Sequence, residues 1–208
     1  MLFRFVITAL VAVVAGLAAR ADTGAPPDGL VVEIGAMVFS IPRLTVEGGT
    51  LTGAELARLA DPKDKTPLDE RLARVTAKRV VVPEIRGESK ADERATRLVY
   101  KDVVLEDIAN GRIGALRAAS LEQSAKGAGG AVEARYTNLS AKGVDPRQLA
   151  HVLAFAREND KEEAKTIEEE ATIESVSFTF PDAGIEIHAG PVAALGLRAR
   201  ALAEPPLA

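Results

Sequence analysis

Cysteine and tryptophan are absent from the 208 residues, and there are only two histidines, two tyrosines and six phenylalanines. Each shortage excludes something. Without cysteine there is no disulfide, no thiolate nucleophile and no thiolate zinc site. His151 and His188 lie 37 residues apart with no H-x-H or H-E-x-x-H spacing, so a histidine-based zinc or iron centre lacks its ligands. The scarcity of rings leaves little on which bases or sugars could stack. Positive charge is also short: 26 basic residues face 30 acidic ones, a net charge of −4, which argues against nucleic acid or an anionic membrane surface as partner.

Long apolar runs are scarce too, and the one that exists opens the chain. MLFRFVITALVAVVAGLAARA has Arg4 as its positive start, an apolar stretch from Phe5 to Ala19, and Ala19-Arg20-Ala21 as a small-x-small cleavage pattern. At roughly 1.5 Å per residue the stretch spans about 22 Å as helix, short of a bilayer core of about 30 Å. Residues 1–21 are therefore read as a secretory signal, retention as an anchor being the weaker alternative. Cleavage after Ala21 removes Arg4 and Arg20 and leaves 24 basic against 30 acidic residues. An exported chain without disulfides must hold together by packing and backbone pairing, and its core is aliphatic: Val, Leu, Ile and Ala.

What is present is strand. DTGAPPDG, residues 22–29, is a flexible lead-in. LVVEIGAMVFSIPRLTVEGG gives strands broken near Gly35 and after Pro42. Thr52-Gly-Ala-Glu55 has capping-box spacing and predicts a short helix to about Ala60. Thr66-Pro67 predicts a second, with Leu68, Leu72 and Val75 along one side. TAKRVVVPEIR is a strand, GESKADERA a charged loop. Asn110-Gly111 is a two-residue hairpin turn that sets Ile108 opposite Ile113 and Leu105 opposite Leu116; the consecutive apolar Val103 and Val104 allow a bulge within that hairpin. KGAGG turns the chain into AVEARYTNLSAK. Asp145-Pro146-Arg147-Gln148 starts a third helix with an apolar stripe at Leu149, Val152, Leu153 and Ala156. The acidic run Glu158–Glu174 reads as a solvated helix face or linker. ESVSFTF and IEIHA alternate as strands joined by PDAG.

FSIP, VVVP and FTFP end apolar runs at Pro42, Pro83 and Pro181, and proline suits strand ends and edges. With the similar Leu-Ala segments 56–60 and 149–154, they suggest a divergent internal repeat, about 36–86 and 131–187. YKDVVLEDIANGRI, with LSAKGVDPRQLAHVL, resembles segments of uncharacterised exported proteins of Gram-negative bacteria across residues 75 to 155. That resemblance implies an envelope or periplasmic location and brings no activity or site residues.

Catalytic groupings are missing. G-x-S-x-G and S-x-x-K do not occur, and Ser120, Ser124 and Ser140 have no histidine near them in sequence. GAGG at 127–130 lacks the lysine and hydroxyl of a phosphate loop. Asn138-Leu139-Ser140 has the form of a glycosylation acceptor, a pattern common by chance. The acidic run lacks the glycine of a calcium loop. No catalytic, cofactor-binding or metal-ligating residue is therefore nominated. The expectation is a single α+β domain over residues 30–200, with a mostly antiparallel, curved sheet of divergent repeats, two or three short helices on one face, and a flexible tail at 201–208. The expected role is an exported, periplasmic or secreted, non-catalytic protein that binds a partner protein or an apolar molecule. A hydrolase built from distant carboxylates and a structural module of an envelope assembly are the alternatives.

Overall fold

The computed structural model describes residues 30–34, 37–49, 65–89, 95–127, 130–148 and 164–199. Strand takes 76 % of them and helix 8 %, which overturns the α+β expectation in favour of a β-rich fold. Ten strands form one antiparallel sheet: β1 (Leu30–Ile34), β2 (Met37–Ile41), β3 (Thr45–Glu47), β4 (Ala77–Ser89), β5 (Thr96–Ala109), β6 (Arg112–Gly127), β7 (Gly130–Val144), β8 (Lys165–Phe180), β9 (Ile185–Ala189) and β10 (Val192–Ala199). The order is β1-β2-β4-β5-β6-β7-β8-β10, with β3 beside β2 along β4 and β9 beside β10 along β8. Every neighbour is next in sequence or nearly so, through a two-residue turn at β5–β6 and longer connections such as residues 145–164 between β7 and β8.

Helix was expected where strand runs because charge was read as a sign of solvated helix or loop. Lys165–Glu174 belongs to β8, and most of GESKADERA's first residues extend β4 to Ser89. On a strand only alternate residues need to be apolar, so glutamates can fill the outer face if cations stand across from them. They do: Lys142 Nζ donates to Glu170 at 2.8 Å, Arg112 pairs with Glu169, and Asn138 Nδ2 donates to Glu174. Glu158–Glu163 of the same run, the predicted helix at 52–60, the apolar stripe at 149–156, the signal, the lead-in and the tail lie outside the described residues.

Of the expected helices, α1 (Leu68–Leu72) forms, with Leu72 and Val75 buried; its N-cap is Pro67 rather than Thr66, and no side chain caps it. It packs on the β5–β6 turn, where Gly111 N–H donates to Val75 O at 2.7 Å and a Cβ on Gly111 would strike Leu72 O. Asn110 and Gly111 both have positive φ, and Ile108 faces Ile113 and Leu105 faces Leu116, the hairpin read from the sequence. The helix start at Asp145 also forms, over its first turn: Asp145 Oδ1 accepts from the N–H groups of Arg147 at 3.1 Å and Gln148 at 3.2 Å, the side-chain cap its sequence calls for. Beyond Gln148 the chain lies outside the described residues.

The strands do not alternate strictly, and the departures line up. Asp102, Asp107 and Asn138 have positive φ, as do Gly48, Gly143 and Gly196. Asn, Asp and Gly are the residues that tolerate this conformation. Following the registers, Pro83, Asp102, Ala119, Asn138 and Glu174 stand in one row across β4 to β8, and the ladder is interrupted at each of them. A second row, five residues along every strand, runs Gly48, Lys78, Asp107, Gly114, Gly143, Glu169 and Gly196 from β3 to β10. Its members abut. A Cβ on Gly114 would stand 2.9 Å from Asp107 Cβ, and one on Gly48 3.1 Å from Lys78 Cβ.

At each row two consecutive residues face outward, and inward facing resumes one residue later. β5 buries Leu98 and Tyr100, then Val103 and Leu105, then Ile108; β4 buries Val80 and Val82, then Ile85. Such rows bend a sheet along a line, and here they fold the apolar face inward. Tyr136 and Phe178 meet there edge to face, centroids 6.2 Å apart.

The proline expectation holds at two positions and fails at one. Pro42 follows β2 and Pro181 follows β8. Pro83 lies inside β4, which has neighbours on both sides. It is tolerated because it stands in the first row: β3 pairs β4 as far as Val81, β2 takes over at Arg86, and the ladder to β5 is interrupted opposite Asp102. No regular ladder bond is lost there.

Candidate binding surfaces of the sheet

The outer face is charged and self-paired. Arg79 reaches Glu47 at 3.6 Å and Glu106 at 3.9 Å, Arg117 reaches Glu106 at 3.5 Å, and Lys101 reaches Glu122 at 3.8 Å. Toward β8 the surface becomes hydroxyl-rich, with Thr137 Oγ1 2.6 Å from Ser175 Oγ and Ser140 Oγ 2.7 Å from Thr172 Oγ1. A groove of about 650 Å³ crosses this face, lined among others by Arg86, Arg97, Lys101, Glu122, Arg135 and Glu186. Its charges largely cancel, so it presents no field of one sign to a ligand.

The residues weighed for chemistry are dispersed. His188 faces outward with Glu186, its Nε2 3.2 Å from Glu186 Oε1, opposite Ser177. Ser120 stands opposite Thr137, Ser124 opposite Glu133 and Ser140 opposite Thr172, so none of the three serines has a histidine as cross-strand partner. Asn138 is exposed on a strand, in a left-handed bulge. Gly127 pairs with Gly130 at the β6–β7 turn. His151 lies outside the described residues. Among the described residues no three His, Asp or Glu side chains are grouped to hold a metal ion, and no helix is long and apolar enough to cross a membrane.

Two carboxylates depart from ordinary behaviour. Glu168 is 1 % exposed, and its Oε1 has no hydrogen-bond partner. Burial pushes its carboxyl up to about 7. It stands opposite Leu197 of β10 and follows Ile167, whose carbonyl accepts from the Asp145 N–H at 2.7 Å. Nothing in the sequence marked it, since it reads as one glutamate among many. Asp145 is the opposite case. Burial alone would raise its carboxyl, but hydrogen bonds from the Arg147 guanidinium at 2.7 and 3.0 Å and from the Gln148 and Arg147 N–H groups outweigh that and hold it below the usual carboxylate range.

The surface least satisfied by its own chain is the β9–β10 edge. Leu195 is 81 % exposed, Ile185 51 % and Ile187 50 %, and Val192 is exposed as well. Inner-face positions continue from Val176, Phe178 and Phe180 across to Ala189, Ile187 and Ile185, and there the sheet stops. The outer backbone groups of β9 and β10 have no partner strand among the described residues. Between Gly184 and Leu197 the only side chains that can carry charge are Glu186 and His188. Pro191 separates the two strands and a register shift at Leu197/Arg198 interrupts β10, while β9 itself carries no lysine, proline or bulge, the usual guards of an edge.

These features define, among the described residues, a single antiparallel sheet with an aliphatic inner face, a charge-balanced outer face and, at β9, an edge strand without lysine, proline or a bulge. No protein family, curated protein or solved structure matches the chain.

Proposed function

We propose that this chain is a non-catalytic, exported envelope protein that binds a partner polypeptide by strand addition at the β9–β10 edge. One observation carries the reading: four aliphatic side chains are exposed along an edge to which no strand among the described residues is paired. An added strand satisfies both at once, its backbone supplying affinity and its alternate side chains covering Ile185 and Ile187. The apolar stretch at residues 1–21, read from the sequence as a secretory signal, supports the location. A photo-crosslinking residue placed at Leu195 in the cell is expected to capture a polypeptide, while one at outward-facing Thr172 gives background. Background at both positions would overturn the reading.

A second reading, an apolar molecule as ligand, is favoured by the incomplete cover of the inner face where Phe178 and Phe180 are half-buried and Ile185 and Ile187 exposed. Mass spectrometry of organic extracts of the purified protein tests it, and a clean extract would end it. A carboxylate enzyme has less support. It needs two acids facing one cavity, and here Glu168 is sealed in the core while Asp145 is engaged in its cap.

A further inference from the structure

We infer that the strand added at β9–β10 is β1 of a second copy of this chain, so that copies join head to tail into one continuing antiparallel sheet. The inference rests on the edge-binding reading and names its partner. Strands here come in two kinds. In β5, from Asp102 to Asp107, the side chains between the rows face in, out, in, out; in β6, from Gly114 to Ala119, they face out, in, out, in. Antiparallel neighbours aligned on the rows must have matching faces. A strand of the first kind therefore pairs only with one of the second, and the sheet alternates them without exception from β3 to β10.

β10 is of the first kind. Gly196 has positive φ, Val192 stands opposite inward-facing Ile173, and Leu195 stands opposite outward-facing Glu170. A twofold contact between two β10 strands aligned on their rows would set an inward residue against an outward one, so self-pairing is disfavoured. At the other end, among the described residues, β1 and β3 have open outer edges, and β1 is the one level with β9. Like β9, β1 lies beyond the first row, so its fit to β9 rests on register.

Direction and level agree. Each neighbour reverses direction, and the path runs through eight places, seven reversals from end to end, so β9 of one copy and β1 of the next run antiparallel when both copies have the same orientation. β1 and β9 are each five residues long. A single row links them: Ile187, Phe178, Ala134, Gln123, Leu98, Gly87, Phe39, Val32. Extending that register places Ile187 opposite Val32 of the second copy. Val31 on β1 is 57 % exposed, so both ends leave aliphatic surface uncovered. The contact is heterologous and repeats without closing unless accumulated rotation forms a ring.

The test uses the full chain as the cell processes it, in sedimentation velocity over a range of concentrations. Mass rising past a dimer is expected. Ile187→Lys with Leu195→Lys blocks one edge, and Val31→Pro blocks the other, with Val31→Lys as the milder form should proline unfold the strand; each variant alone is expected to be monomeric. Mixed, the two are expected to give a 1:1 dimer and nothing larger. A twofold β10 dimer would instead survive the β1 variants, and that result overturns the inference. So does a wild-type chain that stays monomeric throughout. In that case crosslinking from Leu195 to a different polypeptide still upholds edge binding, and the two ideas fall separately.

Discussion

Asp102 and Asn138 each hold a left-handed conformation inside a long strand, and each is the sort of residue whose short polar side chain makes that conformation tolerable. Replacing Asp102 by valine puts a β-branched residue there and is expected to cost about 1–3 kcal/mol; Asn138→Gly is expected to be near neutral, because glycine meets no penalty at positive φ. Urea unfolding of both variants checks the contrast. Glu168 makes a different prediction. Its folded carboxyl titrates near 7 against an ordinary 4.5, so the folded state holds the proton more tightly than the unfolded chain. Stability is then full below the ordinary value and declines as pH rises toward 7, by about 3 kcal/mol from the shift alone. Glu168→Gln is expected to flatten that decline and to raise the urea midpoint at pH 8 with little change at pH 4.5. A midpoint equally pH-dependent in both proteins would contradict it.

At the scale of elements, α1 and the Asp145 cap hold the near end of the sheet. Leu72→Ala is expected to destabilise by about 2–5 kcal/mol, because the side chain is fully buried beneath the Asn110–Gly111 turn. Asp145→Ala should cost about 0.5–2 kcal/mol as a lost cap. Differential scanning calorimetry ranks the two. These elements were also the ones legible in the sequence, because their signals are local: a turn dipeptide, a cap and proline in succession, two leucines one turn apart. The rows were not. Asp102 and Asp107 look like ordinary surface charge, and Gly114 and Gly143 like loop residues; their meaning appears only when four or more strands are laid side by side. The same holds for β8, where TIEEE has helical composition and becomes strand with Lys142 of β7 across from Glu170 and Arg112 of β6 reaching Glu169. The buried Glu168 left no trace for the same reason. Of the surfaces proposed for binding, the sequence showed the alternation of IEIHA but not that its outer edge has no partner strand among the described residues.

The described residues form one meander whose middle strands are paired along most of their length and whose outer strands are short. Protection against hydrogen exchange is therefore expected to peak in β5, β6 and β7 and to be weakest in β9 and β10. Mass spectrometry of exchanged peptides reads this directly; if β9 protects as well as β6, the edge is already covered in solution. Protection that appears at β9 and β10 only as concentration rises would be the mark of copies joining.

The two rows have a consequence for chain length. Because the facing pattern repeats after five residues, trimming five residues from the same level of two hairpin-linked strands would shorten both and leave inside and outside unchanged. Removing one residue would turn the remainder of the strand over and expose its core side. Lengths in such a sheet are thus free to change in fives and constrained in ones. Viable deletions within β5 and β6 should come as matched blocks, one from each side of Asn110–Gly111, and the shortened sheet should lose one fold line rather than its core.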